Sequence, residues 1–177
     1  MVETKQASLV HPLLRVIDGI SEWTGKIFAP FLLITMLIVV YEVLSRRLIE
    51  IPQAWTYESI TLFYGANFMF MAAYTLLYKK HVSIDIFFNR LSPRGQAVIE
   101  IISYLIFFFP FVILVIYVGA DYAAVSWSQN EITMSARLPY IMPILKTVTP
   151  VSMFILLLQG IAEFIRCIYV IVKGVPA

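Results

Sequence analysis

The stretch IISYLIFFFPFVILVIYVGA, residues 101–120, runs for 20 residues without one charged side chain. Coiled as a helix at 1.5 Å per residue it covers about 30 Å, the thickness of a bilayer's hydrocarbon core. It reads as a membrane-spanning helix, and similar windows flank it. Ser59–Tyr78 is another 20 uncharged residues, and in Ile27–Arg46 only Glu42 interrupts the apolar run. Thr147–Ala162 is uncharged, and past Glu163 and Arg166 the apolar character resumes until Lys173. The reading is an all-α integral membrane protein with four transmembrane helices, near residues 27–46, 55–78, 97–121 and 144–172, in one domain spanning 1–177.

Composition agrees. Hydrophobic residues make up 60% and charged residues 14% of the 177, against roughly 45–50% and 25% in soluble domains. A net charge of +2 is too small to point to nucleic acid. The single cysteine, Cys167, has no intrachain partner for a disulfide. The first apolar run begins late and lacks a small-residue cleavage pattern, so no removable signal peptide is expected. There is no internal repeat or low-complexity tract.

Four spans place both termini and the loop between spans two and three on one side. That side holds nine basic residues and the other four (Arg46, Arg47, Arg137 and Lys146). The positive-inside rule makes the nine-residue side, with both termini, cytoplasmic.

Two further segments have the pattern of short amphipathic interfacial helices. In residues 9–25, apolar Leu9, Leu13, Val16, Ile17 and Ile20 follow helical spacing with Arg15, Asp18 and Glu22 between them, the pattern of a helix lying on the membrane face before span one. In residues 84–91, Ile84, Phe87, Phe88 and Leu91 fall at i, i+3, i+4 and i+7. Ser92-Pro93 then gives a cap and first-turn proline for the third helix.

The polar residues of the spans have two readings each. Glu42, Glu58, Asp121 and Glu163 sit near span ends, as snorkelling carboxylates or as functional ones. Asn67 lies mid-span beside Gly65 and Ala66, placed to hydrogen-bond across closely packed helices or to touch a solute. Trp55 and Tyr57 suit an interfacial aromatic belt. Arg46, Arg47, Trp55 and Glu58 are expected to brace the turn between spans one and two, with Glu58 pairing one of the arginines. His81 and Asp85, four apart, form either a lock at the start of the in-plane helix or two solvated loop residues. His11 is the only other histidine, which argues against zinc and against haem ligation within the spans. No phosphate-binding loop, nucleophile elbow or metalloprotease motif occurs. The expectation is therefore no enzyme activity and no cofactor. The midplane carries no charge and the halves do not repeat, unlike the core of a secondary transporter.

In order and spacing these residues resemble the small membrane subunit (DctQ type) of tripartite ATP-independent periplasmic (TRAP) transporters, over roughly residues 13–173. The marks are Arg46-Arg47 ending span one, W-x-x-E at Trp55 and Glu58, and the small pair Gly65-Ala66. They continue with Lys80-His81-Val82 and Asp85, then L-S-P-R ending at Arg94, and close with Leu138-Pro139 and Pro150. Tyr57 stands where an acidic residue is frequent in the family. The resemblance implies a scaffold subunit of a sodium-coupled uptake transporter for organic anions in the bacterial inner membrane. Its implied partners are membrane lipids, a large elevator-type membrane subunit that carries the coupling sodium ions, and a periplasmic substrate-binding protein that this chain helps to dock. The segment from Lys79 to Gly95 would then pin the cytoplasmic edge of the scaffold. The alternatives are a membrane anchor or assembly subunit of another inner-membrane complex, and a small self-assembling exporter.

Overall fold

The computed structural model describes residues 12–48, 54–78, 93–132 and 140–173. The expected interfacial helix at 84–91 lies outside the described residues, and so do His81, Asp85, Phe87 and Phe88. Four long helices make up nearly all of what is described: α1 (Pro12–Leu48), α2 (Ala54–Leu77), α3 (residues 93–128) and α4 (Ile141–Lys173). Each is long and apolar enough to cross a membrane. They run alternately up and down. α4 packs against all three of the others, with α1 beside α2.

The separate surface helix expected at residues 9–25 is replaced by a continuous one. α1 is a single helix of 37 residues, about 55 Å long. Its first turns continue the span because their inner face is buried against α4. Leu14, Ile17 and Ala162 form a closed cluster with Leu158 packed on it. Of the apolar residues in that pattern, Ile17 meets protein, whereas Val16 and Ile20 are exposed.

α3 departs from regular geometry at Tyr104–Phe108, where the helix widens and the Phe109 N–H donates to the Tyr104 carbonyl five residues back. Pro110 accounts for the change. It has no N–H for the carbonyl four residues earlier, and its ring crowds that carbonyl, so the turn opens. α3 ends by a different device. Asn130 takes a left-handed φ of 47°. The Asn130 N–H reaches the Trp127 carbonyl at 3.3 Å and the Glu131 N–H the Ser126 carbonyl at 3.2 Å. This is the paired Schellman closure, with asparagine tolerating the left-handed position.

Between helices in lipid there is no hydrophobic drive, so close packing and interhelical hydrogen bonds must hold the bundle. The buried core is accordingly rich in small residues: Ala66, Ala73, Ala97, Ala123 and Ala162. Two glycines allow the closest approaches. A Cβ on Gly25 of α1 would stand 2.2 Å from the Tyr74 ring of α2, and one on Gly160 of α4 would stand 2.1 Å from Phe108 of α3. Ala73, Val112 and Leu156 join α2, α3 and α4 in the central cluster, and Phe28 stacks on Phe70 with centroids 4.0 Å apart between α1 and α2.

Candidate functional site

The ionisable side chains within the helices collect at the two ends of the bundle, and most are used to join one helix to another. At the end carrying the termini, α1 and α4 share a buried chain of polar groups. Ser21 donates to Gln159 Oε1 at 2.7 Å, and Gln159 Nε2 donates to Asp18 at 3.2 Å. Arg166 donates to both Asp18 and Glu163. Gln159 and Ser21 are fully buried and Glu163 is nearly so. On α4, positions 159, 163 and 166 lie on one helical face, which is why one stripe can meet α1. The Cys167 thiol donates to Glu100 at 2.8 Å, adding α3 to the same end.

The opposite end has two smaller links. Glu42 of α1 accepts from Thr56 of α2, and Arg46 donates to Glu42 at 2.8 Å from the next turn. Across the bundle, the Schellman closure of α3 aims Glu131 at α4, where it accepts from Lys146 and, at 2.7 Å, from Ser126. These two donors, Lys146 foremost, hold the Glu131 carboxyl below its ordinary 4.5. The Lys146 ammonium also lies 3.8 Å above the Tyr122 ring, an arrangement in which the ring face attracts the cation.

The residues singled out from sequence fall as follows. Asn67 donates to the Phe28 carbonyl of α1 at 2.5 Å, the cross-helix bond of the structural reading. Trp55 packs against Tyr41, rings 5.7 Å apart, at the α1–α2 end. The expected pairing of Glu58 with an arginine does not form. Arg46 is taken by Glu42, Arg47 points outward, and Glu58 is only 4% exposed with neither carboxylate oxygen hydrogen-bonded among the described residues. The physical reason is helical phase. Thr56 faces α1, and Glu58, about 200° further round the helix, faces away from it. Arg94 lies in the first turn of α3, and only its backbone is among the described parts.

Sequence reading did not find the Asp18–Ser21–Gln159–Glu163–Arg166 network. Asp18 was assigned to a solvated helix face and Glu163 to a helix end. The available signal was the stripe Gln159, Glu163, Arg166 at i, i+4 and i+7 within an otherwise apolar helix, since buried polar groups need partners.

The outer faces of α1 and α3 are apolar and exposed, with Leu33, Met36 and Leu37 on one and Phe107, Phe111 and Leu114 on the other each at least 60% exposed. Among the described residues no group of three or more His, Cys, Asp or Glu is arranged to hold a metal ion. The arrangement is that of a braced bundle with large lateral apolar surfaces.

No curated protein and no solved structure matches the chain. Residues 35–169 match the family described as "Tripartite ATP-independent periplasmic transporters, DctQ component". That range takes in part of α1 and α4 and all of α2 and α3, most of the chain. The four apolar helices and this match together identify a multi-pass membrane protein that belongs to the DctQ component family of the TRAP transporters.

Proposed function

We propose that this chain is the stationary scaffold subunit of a sodium-coupled uptake transporter for organic anions. It sits in the bacterial inner membrane with both termini cytoplasmic, enlarges the frame of a large elevator-type membrane subunit, and offers its outer end to a periplasmic binding protein. One observation carries the reading: polar side chains cross-link each helix of the bundle to another. Ser21, Gln159, Asp18 and Arg166 join α1 to α4, Asn67 joins α2 to α1, and Glu131 with Lys146 joins α3 to α4. A frame that must resist tilting while a neighbour moves through the bilayer needs such bracing. A solute path would need polar groups facing a passage instead.

The test is assembly. A tagged form of this chain, expressed with the large membrane subunit of the same system, is expected to purify with it as a stoichiometric complex. Recovery of this chain alone, under detergent conditions that leave its helicity intact, would overturn the reading.

A further inference from the structure

Ser21 of α1 meets Gln159 of α4 at 2.7 Å, and the two helices run in opposite directions. Nine residues outward from that bond, about 13 Å along each axis, stand Pro30 on α1 and Pro150 on α4. The two prolines therefore share one depth. Each withholds an N–H from the carbonyl four residues earlier and crowds it, so both helices are weakened at the same level. α3 is adapted there as well, since a Cβ on Gly119 would stand 3.5 Å from the Pro150 ring.

Inward of this layer, Asp18 and Ser21 of α1 bond to Arg166 and Gln159 of α4, which joins the α1–α2 pair to the α3–α4 pair. Outward of it, the described bonds tie each pair to itself: Thr56 donates to Glu42 between α2 and α1, and Lys146 to Glu131 between α4 and α3. The two pairs meet there where α2 lies on α4, with a Cβ on Gly65 falling 3.5 Å from Leu145. Glu58 is seven residues outward of Gly65 and on the same helical face, so its carboxylate faces this seam. It is 4% exposed, and neither oxygen has a hydrogen bond among the described residues. A sealed carboxylate without partners penalises the closed seam, and parting the helices returns it to water.

We propose that the outer seam between α2 and α4 is hinged: the two helix pairs part at their outer ends about the Pro30–Pro150 layer, while the network at the inner end stays closed. Glu58 sets the balance between the two arrangements. Closed, it is buried at a cost; open, it is a solvated carboxylate on the outer side. The inner network is the fixed part of the frame. The hinge belongs to this chain itself and does not depend on the larger subunit.

The experiment uses the full chain in lipid nanodiscs with pairs of nitroxide labels. Buried Cys167 is left in place, and the unsubstituted chain serves as the labelling blank. Labels at Leu44 and Val125 span α1 and α3 at the outer end, and labels at Ile20 and Ile102 span them at the inner end; all four positions are exposed. Double electron–electron resonance is expected to give an outer distance distribution about twice as broad as the inner one. Glu58→Leu and Pro150→Ala, made separately, are expected to narrow the outer distribution to the inner width. The first removes the buried charge and the second restores a backbone N–H. Melting of each variant confirms that it folds, and Glu58→Gln replaces Glu58→Leu where the latter does not. An outer distribution as narrow as the inner one in the parent overturns the proposal, and so does one that stays broad in either variant. Neither result bears on the subunit reading, which stands or falls by its own assembly test.

Discussion

Phe108 occupies the notch that Gly160 leaves on α4, so that a Cβ at position 160 would fall 2.1 Å from Phe108 Cε1 and 2.5 Å from Cζ. Phe108 belongs to the widened turn of α3 that Pro110 imposes, and it meets Tyr104 and Phe109 edge to face. The ring therefore has little room to retreat. Gly160→Ala is expected to destabilise the bundle by about 1–3 kcal/mol, the usual cost of overpacking, read as a lower melting temperature in detergent. Gly19→Ala, where nothing lies within 4 Å of the new Cβ, is the matched control and should not lower it. Equal effects of the two substitutions would contradict the notch.

Arg166 donates to both Asp18 and Glu163, and its own side chain is 16% exposed. Arg166→Ala leaves both carboxylates without that cation and is expected to cost about 3–5 kcal/mol. Ser21→Ala removes one donor from buried Gln159 and should cost less, about 1–3 kcal/mol. Urea or thermal unfolding of the two variants gives the order, and a larger loss for Ser21→Ala would contradict it.

Glu42 and Glu58 stand at the same end of the bundle but in opposite circumstances. Glu42 accepts from Thr56 and Arg46, whereas both oxygens of Glu58 are buried without a hydrogen bond among the described residues. Neutralising a partnered carboxylate removes support, and neutralising an unpartnered buried one removes a penalty. Glu42→Gln is thus expected to lower the melting temperature of the isolated chain and Glu58→Gln to raise it. Shifts of the same sign would contradict the assignment.

Glu131 provides a pH signature. Its carboxyl is held below the ordinary 4.5 by Lys146 and then Ser126. For a depressed carboxylate the stabilisation is present above the unfolded-state value and is lost as pH falls through the folded-state one. The melting difference between the parent chain and Glu131→Gln should therefore be constant from neutral pH down to the ordinary carboxylate range, then close in more acidic buffer. A difference independent of pH would remove the charge from the α3–α4 link.

How far the sequence reaches can be seen from single residues. The uncharged windows at 59–78 and 101–120 located α2 and α3 because crossing a bilayer demands length and apolarity, both local properties. Asn67 was legible for the same reason, as an amide among small residues in mid-span. The link from Asp18 to Arg166 joins residues 148 apart, and no local period encodes which face of α1 meets which face of α4. Residues 9–25 read as a separate surface helix because nothing local shows that Leu14 and Ile17 pack on Ala162 of α4. Glu58 was paired with an arginine on proximity in sequence, and helical phase decided otherwise.

The central claim is that this chain is a scaffold required for transport and not itself the path. Proteoliposomes with an inward sodium gradient test it most directly, using a labelled organic anion bound by the system's own binding protein. Three preparations are compared: this chain alone, the large membrane subunit alone, and the two together, each with the binding protein outside. The account predicts uptake only where both membrane chains are present. Sodium-driven uptake by this chain alone, or full uptake by the large subunit without it, would contradict the account.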